Sequence, residues 1–191
     1  LITHDLGLAA ERADRIVVMY RGKIVESGPS REILTNPQHP YTKRLVAAAP
    51  SLASRRLTAG LSVAEADSEF DLTAVAAKRA ARTEAGEVAI SLTDVSKVYS
   101  IRGSGFTSTP FTAVDGVSFD IKRGTTMALV GESGSGKSTV AKMLLGLEKV
   151  TSGSIVIDGQ DVSSLNAKQL FALRGRMQPV FQDPYGSLDP L

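Results

Sequence analysis

Apolar and polar positions divide the chain into three stretches of different rhythm. In LGLAAERADR, Leu6, Ala9, Ala10 and Ala13 fall at helical spacing with charges opposite, which predicts an amphipathic helix. IVVMYRGKIVESG then holds two β-rich runs on either side of Arg21 and Gly22, the pattern of a hairpin. SREIL, with Ser30 as its N-cap, and YTKRLVAAA, entered from Pro40, predict two short helices. Over residues 51–87 the rhythm is lost. Ala, Ser, Glu and Arg dominate there, and an acidic patch (EADSEFD) precedes a basic one (AAKRAAR), which reads as a linker with one helix through Phe70–Arg82. From Val88 strand patterns return in VAISLTDVSKVY, FTAVDGVSFDI and TTMALV. A helix pattern, STVAKMLLGL, is followed by GSIVIDG, a polar turn, a helix over NAKQLFALRGR, and MQPVFQ. Strands alternating with a helix after a Gly-rich turn predict an α/β core with an antiparallel strand layer beside it.

Composition narrows the class without naming a function. At 191 residues the chain is one large domain or parts of two. With 42% hydrophobic and 22% charged residues it is not disordered throughout. A net charge of +2 is too small to argue for nucleic acid. No apolar run is long enough to predict a membrane-spanning helix. The absence of cysteine excludes disulfides, thiolate zinc sites and cysteine-ligated iron–sulfur clusters, and two histidines argue against a dedicated transition-metal site. The chain opens at Leu1 with no signal-peptide pattern, and it reads as a cytoplasmic protein or a piece of one.

The chemistry is concentrated in GESGSGKST: Gly131, Glu132, Ser133, Gly134, Ser135, Gly136, Lys137, Ser138 and Thr139. This fits G-x-x-x-x-G-K-[ST], with Gly131, Gly136, Lys137 and Ser138 in the four fixed places. An apolar strand (MALV) runs in and a helix pattern runs out. Glycines permit backbone angles that aim successive N–H groups at phosphate oxygens. The helix that begins there adds its positive end to the same anion. Lys137 then supplies a point charge to the β and γ phosphates, and Ser138 a hydroxyl to Mg²⁺. The loop is expected to bind a nucleoside triphosphate.

Beyond the loop, the sequence resembles the nucleotide-binding domains of ABC transporters. Tyr99, in KVYS, stands where that family stacks an aromatic ring on adenine. FQDPYGSLDP resembles the family's Q-loop, in which Gln182 would sense Mg²⁺ and the γ-phosphate and face the membrane partner. LITHDLGLAAERADRIVVMYRGKIVESG resembles the segment that follows the catalytic glutamate, and His4 matches the switch histidine that contacts the γ-phosphate and orients the attacking water. NPQHPYT resembles a string of the oligopeptide and dipeptide importer branch, in which His39 is expected to turn the chain rather than do chemistry.

The order of these pieces is reversed relative to one such domain, where the P-loop comes first and the switch histidine last. The resemblance therefore implies a window on a tandem protein: residues 1–50 as the end of a first nucleotide-binding domain, 51–87 as linker, and 88–191 as the front of a second. The implied fold is a P-loop NTPase (ABC ATPase) core with an antiparallel β subdomain, incomplete in both halves. In the family two domains pair head to tail, so His4 and Lys137 are expected to serve opposite sites. There is no LSGGQ-like signature and no apolar run ending in Asp-Glu. The parent is thus expected to hydrolyse ATP with Mg²⁺, and the 191 residues alone to bind nucleotide weakly without turnover. The resemblance further implies transmembrane permease subunits and an extracytoplasmic solute-binding protein as partners, no nucleic acid, a peripheral place on the cytoplasmic face of the membrane, and uptake of peptides or similar small solutes. The branch's iron–sulfur cluster is not carried over, for want of cysteine. Two other readings keep the P-loop: a soluble tandem ABC ATPase acting on ribosomes or DNA, and a nucleotide-binding regulator that does not hydrolyse. A P-loop GTPase or kinase would leave Tyr99 and Gln182 without a role, and no N-K-x-D is present.

Overall fold

The computed structural model describes residues 1–49, 86–102 and 108–180. The N-terminal stretch forms β1 (Ile2–Thr3), α1 (Leu6–Arg12), β2 (Arg15–Tyr20), β3 (Lys23–Pro29), α2 (Ser30–Thr35) and α3 (Pro40–Ala47). The later stretch forms β4 (Val88–Arg102), β5 (Ser108–Lys122), β6 (Met127–Val130), α4 (Lys137–Leu144), β7 (Ser152–Ile157), β8 (Gln160–Asp161), a 3₁₀ turn over Val162–Ser164, and α5 (Ala167–Arg174).

Two sheets result among the described residues. The first has the order β1-β6-β2-β3, with β6 parallel to both β1 and β2, and β3 antiparallel to β2. The second, β5-β4-β7-β8, is antiparallel throughout. The α/β core and the antiparallel layer beside it are therefore both present. The β2–β3 hairpin turns on Arg21 and Gly22, both at positive φ, as two-residue hairpin loops of the type I′ kind require.

Period-two alternation in β2 and β6 sends side chains to two separate cores. Val17, Met19, Met127 and Leu129 face the second sheet, packing with Leu92, Val95, Val114, Val117, Ile155 and Ile157, and with Val140 and Met143 of α4. Ile16, Val18, Ala128 and Val130 face the other way, against Leu6 and Ala9 of α1, Ala13 just after it, Ile33 of α2, and Tyr41 and Val46 of α3. A strand buried on both faces needs a continuous apolar run, which RIVVMY and MALV provide. Each fully buried side chain of this kind contributes about 1.5–3 kcal/mol.

Helix starts follow local chemistry. Asp5 caps α1, its Oδ1 accepting from the N–H groups of Gly7 (2.7 Å) and Leu8 (3.2 Å). His39 caps α3, with Pro40 at the first helical position, so it takes the chain-turning place expected of it. Ser30 departs from expectation. It is the first residue of α2, while Pro29, ending β3 without an N–H to donate, occupies the cap position with no side-chain hydrogen bond. The Ser30 N–H donates instead to Asp14 O at 3.0 Å, and its buried hydroxyl has no hydrogen-bond partner. The linker helix expected over Phe70–Arg82 lies outside the described residues, and residues 177–180 carry no regular structure.

Candidate functional site

The sequence Met127–Val130 is wholly buried, and the chain leaves it at Gly131 to form a loop that re-enters regular structure at Lys137. The loop is tied internally by the Ser135 N–H donating to Glu132 O (3.2 Å). At Gly136, φ is +103°, and a Cβ there would lie 2.5 Å from Ala113 O in β5. Only glycine lets the loop pass that close to a neighbouring strand. No side chain caps the start of α4, so the N–H groups of its first turn remain available to an anion.

Lys137 folds back over this loop. Its Nζ donates to Gly131 O (2.9 Å), Glu132 O (2.7 Å) and Ser135 Oγ (3.3 Å). All three acceptors are uncharged, and no carboxylate forms an ion pair with Lys137 among the described residues. Burial pushes its pKa below the usual lysine range. A half-buried cation held only by neutral oxygens, beside unsatisfied helix N–H groups, is arranged to accept a polyphosphate. The Ser138 side chain is exposed on the first turn of α4, where its hydroxyl would offer a hard oxygen ligand suited to Mg²⁺.

The other sequence-predicted residues are distributed as follows. His4 is exposed and directly follows Thr3, which pairs with Val130, so it stands beside Gly131 at the carboxyl end of the first sheet. The tandem reading assigns His4 to the opposite site; in the structure it follows β1, a strand that pairs with the P-loop strand β6. Strand β6 takes parallel partners on both edges, β1 on one and β2 on the other. Tyr99 lies in the second sheet, paired with Phe111, and the Lys97 ammonium sits 4.9 Å from its ring centroid. That lysine is itself held by Glu148 (2.9 Å) and by Lys149 O (2.8 Å). Gln182 lies outside the described residues.

Two residues that motif reading passes over touch the loop directly. The Gly22 N–H in the β2–β3 turn donates to Ser135 O at 3.0 Å, and the hydroxyl of Tyr41 accepts the Glu132 N–H at 2.9 Å. Tyr41 belongs to the NPQHPYT string, which signals its presence but not its target.

A strand, a G-x-x-x-x-G-K-S loop and a helix in this order define the P-loop nucleotide-binding class. The model of the ABC transporter family matches residues 114–190, and that of the oligopeptide/dipeptide transporter C-terminal region matches residues 25–69. The chain is 42% identical over 199 aligned positions to the glutathione import ATP-binding proteins GsiA of Escherichia coli (strain K12) and Shigella dysenteriae serotype 1 (strain Sd197), covering 99% of itself and 31% of each relative. It thus spans about a third of the length of the curated relatives it matches. A solved structure of the ATP-binding cassette MJ0796, dimeric and bound to ADP and Pi after hydrolysis, overlaps 44% of this chain and 34% of its own, with a TM-score of 0.40 and 32% identity. Residues 114–190 are thus similar to the ABC transporter family, and residues 25–69 to the C-terminal region of oligopeptide/dipeptide transporters.

Proposed function

We propose that these residues belong to the ATP-binding subunit of an ABC importer, with the loop at 131–139 as the seat of the triphosphate. The observation that carries this reading is the Lys137 ammonium, half-buried and bound only by the oxygens of its own loop. An incoming phosphate exchanges neutral acceptors for anionic ones, adding an ion pair to the hydrogen bonds the ammonium already makes. Gly131 to Thr139 then cradle the phosphates, Ser138 and Gln182 hold Mg²⁺, Tyr99 stacks on the base, and His4 is the switch histidine of the opposite site. Bound Mg²⁺ would neutralise charge between the β and γ phosphates.

In this reading ATP favours a closed, head-to-tail pair of nucleotide-binding domains through contacts available only while the γ-phosphate is present. Hydrolysis reopens the pair, and permease subunits convert the motion into uptake of solute delivered by an extracytoplasmic binding protein. The relatives' names point to glutathione, itself a tripeptide, which is compatible with a peptide-like cargo. Among the described residues no helix is long and apolar enough to cross a membrane, which suits a peripheral subunit at the cytoplasmic face. The three domain segments are proposed as read above: 1–50, 51–87 and 88–191.

The test is binding of a fluorescent ATP analogue with Mg²⁺ to the full 191-residue chain and to its Lys137→Ala variant. Loss of a charge-assisted contact of about 1.5–3 kcal/mol predicts at least a tenfold weaker Kd. Equal affinity in the two proteins would refute the assignment of Lys137.

A further inference from the structure

The peptide unit that joins Gly131 to Glu132 is gripped at both ends. Its carbonyl oxygen, on Gly131, accepts from the Lys137 ammonium at 2.9 Å. Its N–H, on Glu132, donates to the hydroxyl of Tyr41 at 2.9 Å, across 91 positions of sequence. Because a peptide unit is planar and rigid, fixing the N–H direction also fixes where the carbonyl points. We propose that Tyr41 is a positioning residue for the phosphate-binding lysine: its hydroxyl sets the Gly131–Glu132 peptide plane and so the oxygen against which Lys137 rests. This rests on the nucleotide-binding reading for its consequence, but its geometry stands without a ligand.

Tyr41 is well placed to act as a fixed post. It is 2% exposed, in the core beneath the first sheet. Its ring lies against that of Tyr20 at the end of β2, with centroids 4.3 Å apart and planes inclined by 31°. Its backbone is held from the other side. The Tyr41 N–H donates to His39 Nδ1 (3.2 Å), and the His39 and Gln38 N–H groups donate to the Glu26 carboxylate (3.0 and 2.7 Å). Strand β3, through Glu26 and His39, therefore braces the tyrosine that braces the loop. Burial raises the Tyr41 pKa, keeping the hydroxyl neutral across the physiological range. A neutral hydroxyl accepts one N–H without adding a negative charge to a site meant for phosphate.

The experiment uses the full chain and Tyr41→Phe, which keeps the ring and its stacking and removes only the oxygen. Tyr20→Phe serves as the matched control that leaves Glu132 untouched. Three signals are read: the Glu132 amide resonance and its exchange with solvent, the Lys137 ammonium resonance at one fixed pH, and affinity for the Mg²⁺-bound ATP analogue. In Tyr41→Phe the Glu132 amide is expected to shift and to exchange faster. The Lys137 ammonium resonance should shift toward that of a solvated lysine as its contact with the Gly131 carbonyl loosens, and affinity should fall about two- to tenfold, the range of one hydrogen bond. An unaltered Lys137 ammonium resonance would overturn the proposal whatever happens to affinity. A merely structural role would lower thermal stability without moving that resonance, and this result too would count against it. Should the variant not fold, the unsubstituted chain decides: the Glu132 amide must exchange more slowly than its exposed neighbours Ser133 and Gly134, and equal rates overturn the proposal. Failure of the unsubstituted chain to bind the analogue would defeat the nucleotide reading alone, and the Glu132 amide and Lys137 ammonium resonances would still judge Tyr41.

Discussion

Substituting alanine at two glycines of the same loop should have unequal consequences, and the inequality can be worked out from their surroundings. Gly136 has φ +103°, and a Cβ there would meet Ala113 O at 2.5 Å, Met19 Cε at 3.1 Å and Val114 Cγ2 at 3.4 Å. The methionine tip can yield, but Ala113 O belongs to the backbone of β5 and can retreat only if the strand moves. The left-handed conformation costs an alanine about 1–2 kcal/mol. The clash adds about 1–3 kcal/mol more, as for overpacking elsewhere. Gly136→Ala should therefore destabilise the chain by about 2–5 kcal/mol. Gly134 has φ +79° with nothing within 4 Å of an added Cβ, so only the conformational cost of about 1–2 kcal/mol applies. The assay is urea unfolding of the three proteins, followed by far-ultraviolet circular dichroism. With a slope of about 1–3 kcal/mol per molar, the midpoints of the two variants should differ by about 1 M. Equal shifts, or a larger shift for Gly134→Ala, would refute the claim that β5 presses on the loop at Gly136.

Two further outcomes follow from burial and charge. Met143 of α4 is 1% exposed between the two sheets, so Met143→Ala should cost about 2–5 kcal/mol by denaturant titration, and a change below 1 kcal/mol would mean that α4 does not fill that space. Burial alone would raise the pKa of Glu26, but the hydrogen bonds its carboxylate accepts, that of the Gln38 N–H foremost, outweigh it and hold the carboxylate below its ordinary value. A depressed carboxylate stabilises the fold above its unfolded pKa and loses that contribution as pH falls through the folded one. Glu26→Gln should thus be less stable than the parent by about 1 kcal/mol at pH 7 and indistinguishable from it well below the carboxylate range; a gap that persists in acid would remove the charge from the explanation.

Much of this architecture was legible because its signals are local. The hairpin at Arg21 and Gly22, the start of α3 at Pro40, and the strand–loop–helix around Gly131 to Ser138 are each encoded within a dozen residues. Ser30 is a cap-type residue that does not cap, because α2 begins at Ser30 itself and Pro29, the last residue of β3, stands at the cap position. The pairing of β1 with β6 was out of reach for a different reason. A two-residue strand has no periodicity of its own, and its partner lies more than a hundred residues away. The hydroxyl of Tyr41 meeting the Glu132 N–H is the same kind of fact: a tyrosine near a turn says that something is packed there, not which backbone group its oxygen will receive.

These long-range contacts bear on how the phosphate loop acquires its shape. Residues 131–139 are tied among themselves by the Lys137 ammonium and the Ser135 N–H, but a Gly/Ser loop of that composition has many conformations of similar energy. Three contacts from the N-terminal segment remove that freedom: Thr3 pairs beside the strand exit at Val130, Gly22 N–H grips Ser135 O, and Tyr41 receives Glu132 N–H. They fall at the beginning, the middle and the far side of the loop before α4 starts. In the proposed reading, the segment matching the ABC transporter model would supply the groups that face phosphate, and residues outside it, including the NPQHPYT string, supply the frame around them. Because the frame must first be brought across a long intervening chain, the loop should reach its final geometry only late in folding, after the first sheet has closed around β6. Loosening any one of the three contacts would then widen the range of loop shapes before it unfolded the domain, which separates the determinants of the site from those of the core.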